Sequence, residues 1–156
     1  MHLRLVAVGD KQPAWVDSAF EEYTQRLPRQ WQFTVTELAT AQRTRGKDST
    51  AAKEAESARI LDTLRAADWV VLLDERGKDL GSRAFSDKLG DWQSGGRDIC
   101  FIIGGPDGVS SNCRQRADFT LALSPMTLPH GLARVLFAEQ LYRAWTLLQG
   151  HPYHRD

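Results

Sequence analysis

Short runs of apolar residues constrain the fold of this chain more than any other feature. Residues 69–73 read Trp-Val-Val-Leu-Leu, residues 99–103 read Ile-Cys-Phe-Ile-Ile, and residues 2–9 carry a similar run. The first two runs, with no polar alternation, are typical of strands covered on both faces. Helical patterns lie between them, and this alternation predicts an α/β fold with a mainly parallel sheet flanked by helices.

The remaining elements follow from periodicity and from turn residues. We predict strands at 2–9, 31–38, 69–73, 99–103 and 119–123, and helices at 13–27, 51–66, 82–94, 110–117 and 132–149. The second helix should have an apolar stripe through Ala55, Ala58, Leu61 and Leu64, and residues 74–78 should form a polar turn. The length of 156 residues suits one domain, residues 1–156.

Composition excludes several classes of protein. Twenty basic residues balance twenty acidic ones, which argues against a bulk electrostatic nucleic-acid binder but leaves room for a local basic patch. The two cysteines suffice for neither a disulfide framework nor a zinc quartet. No stretch approaches the roughly 20 apolar residues of a membrane span, so we expect a soluble, cytoplasmic protein without membrane contact.

Three predicted strands end in unusual loops. One ends at Leu73 and Asp74, the next at Gly104 and Gly105, and the third in the loop 124–131. Ligands of open α/β sheets bind beyond the carboxyl ends of the strands, so these loops predict a shared crevice. Gly-Gly-Pro-Asp-Gly has neither dinucleotide nor P-loop spacing, so phosphate binding is not indicated. A tight turn is the alternative interpretation of the glycines.

The loop 124–131 and the last helix carry more apolar residues than their positions require. Leu123, Met126 and Leu128 suit a flat neutral ring such as adenine, although a loop packed onto the core would look the same. The apolar residues of the last helix cover much of its circumference, which predicts a second contact and therefore a homodimer. Glu139 and Arg143 form an i,i+4 pair, either on the surface or in an active site.

Two polar segments remain. Residues 40–50 lack an apolar period and read as a mobile basic loop that carries Arg43, Arg45 and Lys47. The tail crowds two histidines, a tyrosine and an arginine into residues 151–155. A frayed end is the usual interpretation of such a tail, and docking is the alternative. No carboxylate or cysteine cluster accompanies the histidines, so we predict no metal.

The motifs taken together resemble the bacterial ribosomal RNA large subunit methyltransferase H family. The resemblance rests on five segments in order: Leu-Val-Ala-Val-Gly at 5–9, Ile-Gly-Gly-Pro-Asp-Gly at 103–108, Leu-Pro-His at 128–130, Tyr-Arg-Ala-Trp at 142–145 and His-Pro-Tyr-His-Arg at 151–155. It covers the whole chain, and the tail motif is specific in combination. It implies a SPOUT-type α/β knot with a five- to six-stranded sheet and a C-terminal trefoil knot. The implied reaction is methylation of N3 of a pseudouridine in 23S rRNA by a homodimer on assembled ribosomes, with S-adenosylmethionine as donor.

Matching positions assign roles to individual residues. The donor site should be lined by Leu73, Gly104, Gly105, Leu123, Ser124, Pro125, Met126, Thr127 and Leu128. The target base should lie near Arg143, His154, Tyr153 and His130, and the RNA near Arg43, Arg45, Lys47 and Arg155. The chain departs from the family at Asp107, where Glu is common, and at Pro125, which has no backbone N–H to donate.

The implied mechanism is largely positioning and charge control. Arg143 would stabilise negative charge on the uracil ring, His154 or His130 would accept the N3 proton, and Tyr153 would stack on the base or hydrogen-bond to it. The tail would serve the donor pocket of the partner protomer. The alternatives are a non-catalytic ribosome-binding factor on the same fold and a small-molecule α/β enzyme that uses another nucleotide.

Overall fold

Five strands and five α-helices alternate in residues 1–46 and 48–154, the part of the chain that the computed structural model describes. The strands are β1 (Leu3–Val8), β2 (Thr34–Leu38), β3 (Trp69–Asp79), β4 (Ile99–Ile103) and β5 (Phe119–Ala122). The helices are α1 (Ala14–Thr24), α2 (Thr50–Thr63), α3 (Ser82–Ser94), α4 (Ser111–Arg116) and α5 (His130–Gln149). The predicted order of elements is confirmed.

The strands form one parallel sheet in the order β2-β1-β4-β3-β5. β4 lies at its centre, and all five of its residues are buried. The unbroken apolar run predicted a strand covered on both faces, and the structure confirms this because helices cover the sheet on both sides.

Alternate strand residues contact helices on opposite faces. On one face Phe101 packs with α3 and α5, through residues such as Leu89 and Phe137. On the other face Ile102 packs with Ile60 of α2 and with α4. This three-layer arrangement leaves the carboxyl ends of the strands open at one edge, where the loops of the candidate site lie.

The predicted polar turn at 74–78 is wrong, because β3 continues through it to Asp79. Leu121 of β5 pairs with both Leu73 and Lys78, so the intervening residues form a wide bulge. Gly77 permits this, since a Cβ there would lie 2.7 Å from the carbonyl of Thr120. The bulge carries Asp74, Glu75 and Arg76 towards the carboxyl ends of the strands.

The inward face of α2 also differs from the prediction. Leu61 and Leu64 are half-buried and pack on the core, but Ala55 and Ala58 are exposed, whereas Glu56 and Ser57 are buried. The buried polar groups have partners: Ser57 Oγ accepts a hydrogen bond of 2.8 Å from the backbone N–H of Ser110, and Glu56 binds the basic loop. Apolar periodicity mispredicts this face because the helix buries hydrogen-bonded polar side chains there.

Two further boundaries shift. The second strand begins at Thr34 instead of residue 31, because the buried Trp31 belongs to a 3₁₀ turn, Arg29–Trp31. The last helix begins at His130, two residues before the predicted start. In the described part of the chain, no helix is long and apolar enough to cross a membrane.

Candidate active site

A cleft of about 830 Å³ opens beyond the carboxyl ends of β1, β3, β4 and β5. Its volume lies within the usual range for small-molecule and cofactor sites. Of the predicted donor-site residues, the structure brings eight together in its lining: Leu73, Gly104, Gly105, Leu123, Ser124, Met126, Thr127 and Leu128. Pro125 is exposed and lies outside the lining. The crevice predicted from the strand ends is therefore present.

The turn after β4 packs tightly against the buried side chain of Glu56. A Cβ on Gly105 would overlap Oε1 of the buried Glu56 side chain, so only glycine fits at this position. The backbone of Gly105 thus lies between that carboxylate and the cleft. This close packing is a second reason, besides the tight turn, for a glycine at position 105.

Acidic side chains border the opposite side. Asp74 accepts a hydrogen bond of 2.8 Å from Nη2 of Arg114. Burial alone would raise the pKa of Asp74, but hydrogen bonds from Arg114 and from the backbone N–H of Arg76 outweigh it and lower the pKa. Thr127 donates a hydrogen bond of 2.5 Å to Oε2 of Glu75, which joins the bulge of β3 to the loop after β5. Asp74 is therefore ionised at neutral pH, and its charge is paired with Arg114 and Arg76.

His130 stands at the cleft beside the buried Arg134. Nε2 of His130 accepts a hydrogen bond of 2.9 Å from Nε of Arg134, and the ring contacts the backbone carbonyl of Gly104. Burial, followed by the positive charge of Arg134, lowers the pKa of His130. Both ring nitrogens are therefore engaged, and the neutral form is favoured.

Arg43 is held by carboxylates and does not project from a free loop. It donates to both oxygens of Glu56, at 2.8 and 3.0 Å, and its Nε donates to Asp107 at 2.9 Å. These contacts hold the basic loop against the turn after β4, and the predicted phosphate contact of Arg43 stays a prediction. Arg45 is exposed, while Lys47 lies outside the described residues.

The other predicted base-contacting residues gather at the far end of α5. Tyr153 packs edge-on against Tyr142, with ring centroids 4.7 Å apart, and the guanidinium of Arg143 lies 5.2 Å from the Tyr153 ring. Glu139 accepts hydrogen bonds from Arg143 and Tyr153. We call Glu139, Tyr142, Arg143 and Tyr153 the tail cluster. The tail is thus docked as far as the structure describes it.

His154 adjoins the tail cluster, and its Nδ1 is buried without a hydrogen-bond partner within the described ranges. Arg155 falls outside them. Thirteen residues separate His130 from Arg143 on α5, which corresponds to roughly 20 Å along the helix. One protomer therefore does not bring all the predicted base-contacting residues together.

Sequence reasoning missed two residues that organise the cleft, Glu56 and Arg134. A glutamate inside a helix normally indicates the solvent face, so nothing in the local pattern marked Glu56 as buried. Arg134 follows His130 by four residues, a spacing that places both on one helix face and offered a usable signal. Among the described residues, no group of His, Cys, Asp and Glu side chains is placed to hold a metal ion.

Comparison with known proteins is consistent over the whole chain. The family model described as predicted SPOUT methyltransferase matches residues 1–154. A protein named ribosomal RNA large subunit methyltransferase H from Methylococcus capsulatus is 48% identical over 155 residues, covering 99% of this chain and 100% of the relative. The protein of the same name from Thioalkalivibrio sulfidiphilus is 44% identical over 156 residues, covering 100% of each.

A solved structure shares the fold. The crystal structure of tRNA (m1G37) methyltransferase from Aquifex aeolicus aligns with a TM-score of 0.55 and 15% sequence identity. The alignment covers 99% of this chain and 75% of that one. At this identity the likeness concerns the fold alone.

Proposed function

Since this chain belongs to the SPOUT methyltransferase family, as the family model and the full-length relatives show, we propose that it methylates N3 of a pseudouridine in 23S rRNA with S-adenosylmethionine as donor. The observation that carries the proposal is the cleft, where eight predicted donor-site residues meet. The names of the relatives support ribosomal RNA as the substrate.

The cleft suits the chemistry of this donor. Leu73, Leu123 and Leu128 offer apolar contact to a flat adenine ring. Glu75 supplies negative charge that favours a ligand carrying a sulfonium and an ammonium group, whereas the charge of Asp74 is paired with Arg114 and Arg76. The neighbouring Met126 is 75% exposed, an unusual position for a large apolar side chain and one that a ligand would cover.

The donor, when bound, supplies an electrophilic methyl carbon whose bond to sulfur breaks as the bond to N3 forms. The chain must then orient the base and take up the N3 proton. We assign the orientation to Tyr153 and the stabilisation of negative charge on the uracil ring to Arg143. We assign the proton to His154, whose Nδ1 has no partner among the described residues, because the acceptor nitrogen of His130 is already engaged.

A homodimer would complete the site. Within one protomer the tail cluster stands roughly 20 Å along α5 from His130, so we propose that the tail of one protomer reaches the cleft of its partner. Trp15 of α1 and the pair Leu132 and Leu136 of α5 are large apolar side chains exposed by 56, 41 and 37%. They lie near the cleft end of α5, where an isologous contact would bury them.

The RNA contact is proposed for Arg45, Lys47 and Arg155. The zero net charge of the chain argues against non-specific RNA binding. It favours a substrate RNA that is already folded within the assembled ribosome. A ribosomal substrate supports a cytoplasmic location. The trefoil knot of the C-terminal segment stays a prediction.

Calorimetry with S-adenosylmethionine, NAD and ATP tests the proposal against its rivals. We expect binding of S-adenosylmethionine alone, followed by transfer of a labelled methyl group to ribosomes but not to free rRNA. Binding of NAD or ATP instead would favour a different nucleotide enzyme. Ribosome binding without donor binding would identify a non-catalytic factor.

A further inference from the structure

We propose that Arg134 and His130 form a positioning relay that orients the Gly104 carbonyl in the donor cleft, and that His130 does not accept the substrate proton. The inference rests on the proposed function and deepens it, since it assigns a role to a buried arginine and a different role to a cleft histidine. Arg134 is a positioning residue, because it acts on the cleft through His130.

The guanidinium of Arg134 joins three separate elements. It is 4% exposed, and its Nε donates to His130 at the start of α5 at 2.9 Å. Nη1 donates to Oε2 of Glu37 in β2 at 2.6 Å, and Nη2 donates to the carbonyl of Gly9 after β1. Each nitrogen has a partner, as a buried charge requires, and the planar fork holds these partners in fixed directions.

The same contacts determine the protonation of His130. Nε2 accepts from Arg134, so the ring proton resides on Nδ1, from which it can reach the Gly104 carbonyl. A second proton on Nε2 would face the guanidinium of Arg134, and of the described groups the Gly104 carbonyl and Glu37 oppose that repulsion. The imidazole is therefore neutral yet has no free lone pair, and a general base needs one.

The relay ends at the turn that forms part of the cleft. Gly104 follows β4 directly, and both Gly104 and Gly105 line the cleft. Because a peptide unit is planar, a hydrogen bond that fixes the Gly104 carbonyl also fixes the N–H of Gly105. A defect in the relay should therefore appear first in donor affinity and only weakly in the methyl-transfer step.

The two possible roles of His130 predict effects of different size on donor affinity and on turnover. Loss of one hydrogen bond that positions the cleft should raise the Kd for S-adenosylmethionine by about tenfold. Loss of a general base should lower turnover at saturating donor by about 100-fold or more, with little change in Kd. The variants His130→Ala and His130→Asn distinguish these outcomes, because the asparagine amide can still donate to Gly104 but cannot accept a proton at neutral pH.

We expect His130→Ala and Arg134→Met to raise Kd by about tenfold, and His130→Asn to raise it by only about threefold, with turnover at saturating donor reduced by less than tenfold. His2→Asn, an exposed histidine near the N-terminus, serves as the matched control. A 100-fold loss of turnover in His130→Asn at unchanged Kd would overturn the proposal. So would donor binding in Arg134→Met equal to that of the wild type.

A measurement on the wild-type protein does not depend on whether the variants fold. Imidazole ¹⁵N chemical shifts should show His130 protonated at Nδ1, with a pKa below the ordinary value of 6.5. An Nε2–H tautomer, or titration at or above 6.5, would contradict the relay. If the wild-type protein binds no S-adenosylmethionine, the proposed function fails, while the tautomer result still judges the relay.

Discussion

The phenol of Tyr153 donates a hydrogen bond of 3.1 Å to Oε1 of Glu139, fourteen residues earlier in the chain. The same oxygen accepts from Nε and Nη2 of Arg143, at 2.9 and 2.7 Å. One carboxylate oxygen therefore holds two residues that we assign to the substrate base. This makes Glu139 the organiser of the tail cluster, although it need not touch the base itself.

Replacement of Glu139 should affect methyl transfer without affecting donor binding. We expect Glu139→Ala to lower kcat/KM for ribosomes by about tenfold or more, because Arg143 and Tyr153 lose their shared acceptor. Glu139→Gln should retain part of the activity, since its amide oxygen still accepts. Glu22→Gln, which disrupts the exposed i,i+4 pair with Arg26, is the matched control. Equal loss in the control and in Glu139→Ala would count against a specific role.

The composite site predicts complementation between two defective protomers. Deletion of residues 153–156 should abolish transfer and leave donor affinity mostly intact, and Leu128→Arg should block the cleft. Mixed dimers of the two variants should regain activity, because one intact cleft then faces one intact tail. Methyl transfer after subunit exchange measures this. Inactive mixed dimers that still bind the donor would show that each cleft uses its own tail.

The ion pair between Arg43 and Glu56 should contribute to stability. Arg43→Met leaves the almost fully buried carboxylate of Glu56 unpaired, and we expect it to lower the free energy of unfolding by about 3 kcal/mol. Arg43→Met combined with Glu56→Leu should recover most of that loss. Urea unfolding followed by circular dichroism gives both values.

Arg45 lies in the same loop as Arg43 but is exposed, so we expect its replacement to have a different effect. Arg45→Gln should leave stability unchanged but weaken ribosome binding and flatten its salt dependence, as expected for a phosphate contact. An unchanged salt dependence would remove Arg45 from the RNA interface. A stability loss in Arg45→Gln as large as that in Arg43→Met would contradict the assignment of the two arginines.

The ionisation of Tyr153 should limit the docking of the tail at high pH. Burial, followed by the negative charge of Glu139 and their hydrogen bond, raises the pKa of Tyr153 from 10.0 to about 12. A raised pKa means that the contribution of this group to stability is complete below pH 10 and is lost as the pH rises through about 12. Ultraviolet difference titration of the wild type against Tyr153→Phe should show this late-ionising phenol. Ionisation of Tyr153 near pH 10 would mean that the tail is undocked in solution.

Much of the fold was accessible from the sequence. The helix at 82–94 and the strand at 99–103 agree with α3 and β4 at both ends, because their buried residues are apolar and recur at the period of the element. The glycines and the apolar loop residues after the strands predicted the edge of the sheet at which the cleft opens. The face of α2 did not follow, because Glu56 and Ser57 are buried through hydrogen bonds to distant segments.

The sequence by itself determined the order of the elements, the end of the sheet where the cleft opens and, through its motifs, the family. Only the tertiary structure decided the partners of the charged residues: Arg43 with Glu56, and Arg134 with Glu37, which stands 97 residues away in the chain. It also decided that His130 lies in the cleft while Arg143 lies in the C-terminal half of α5. The physical reason is the distance along the chain that separates the interacting groups. Burial of apolar groups leaves a local period in the sequence, whereas a buried charge is satisfied by whichever group the fold brings to it.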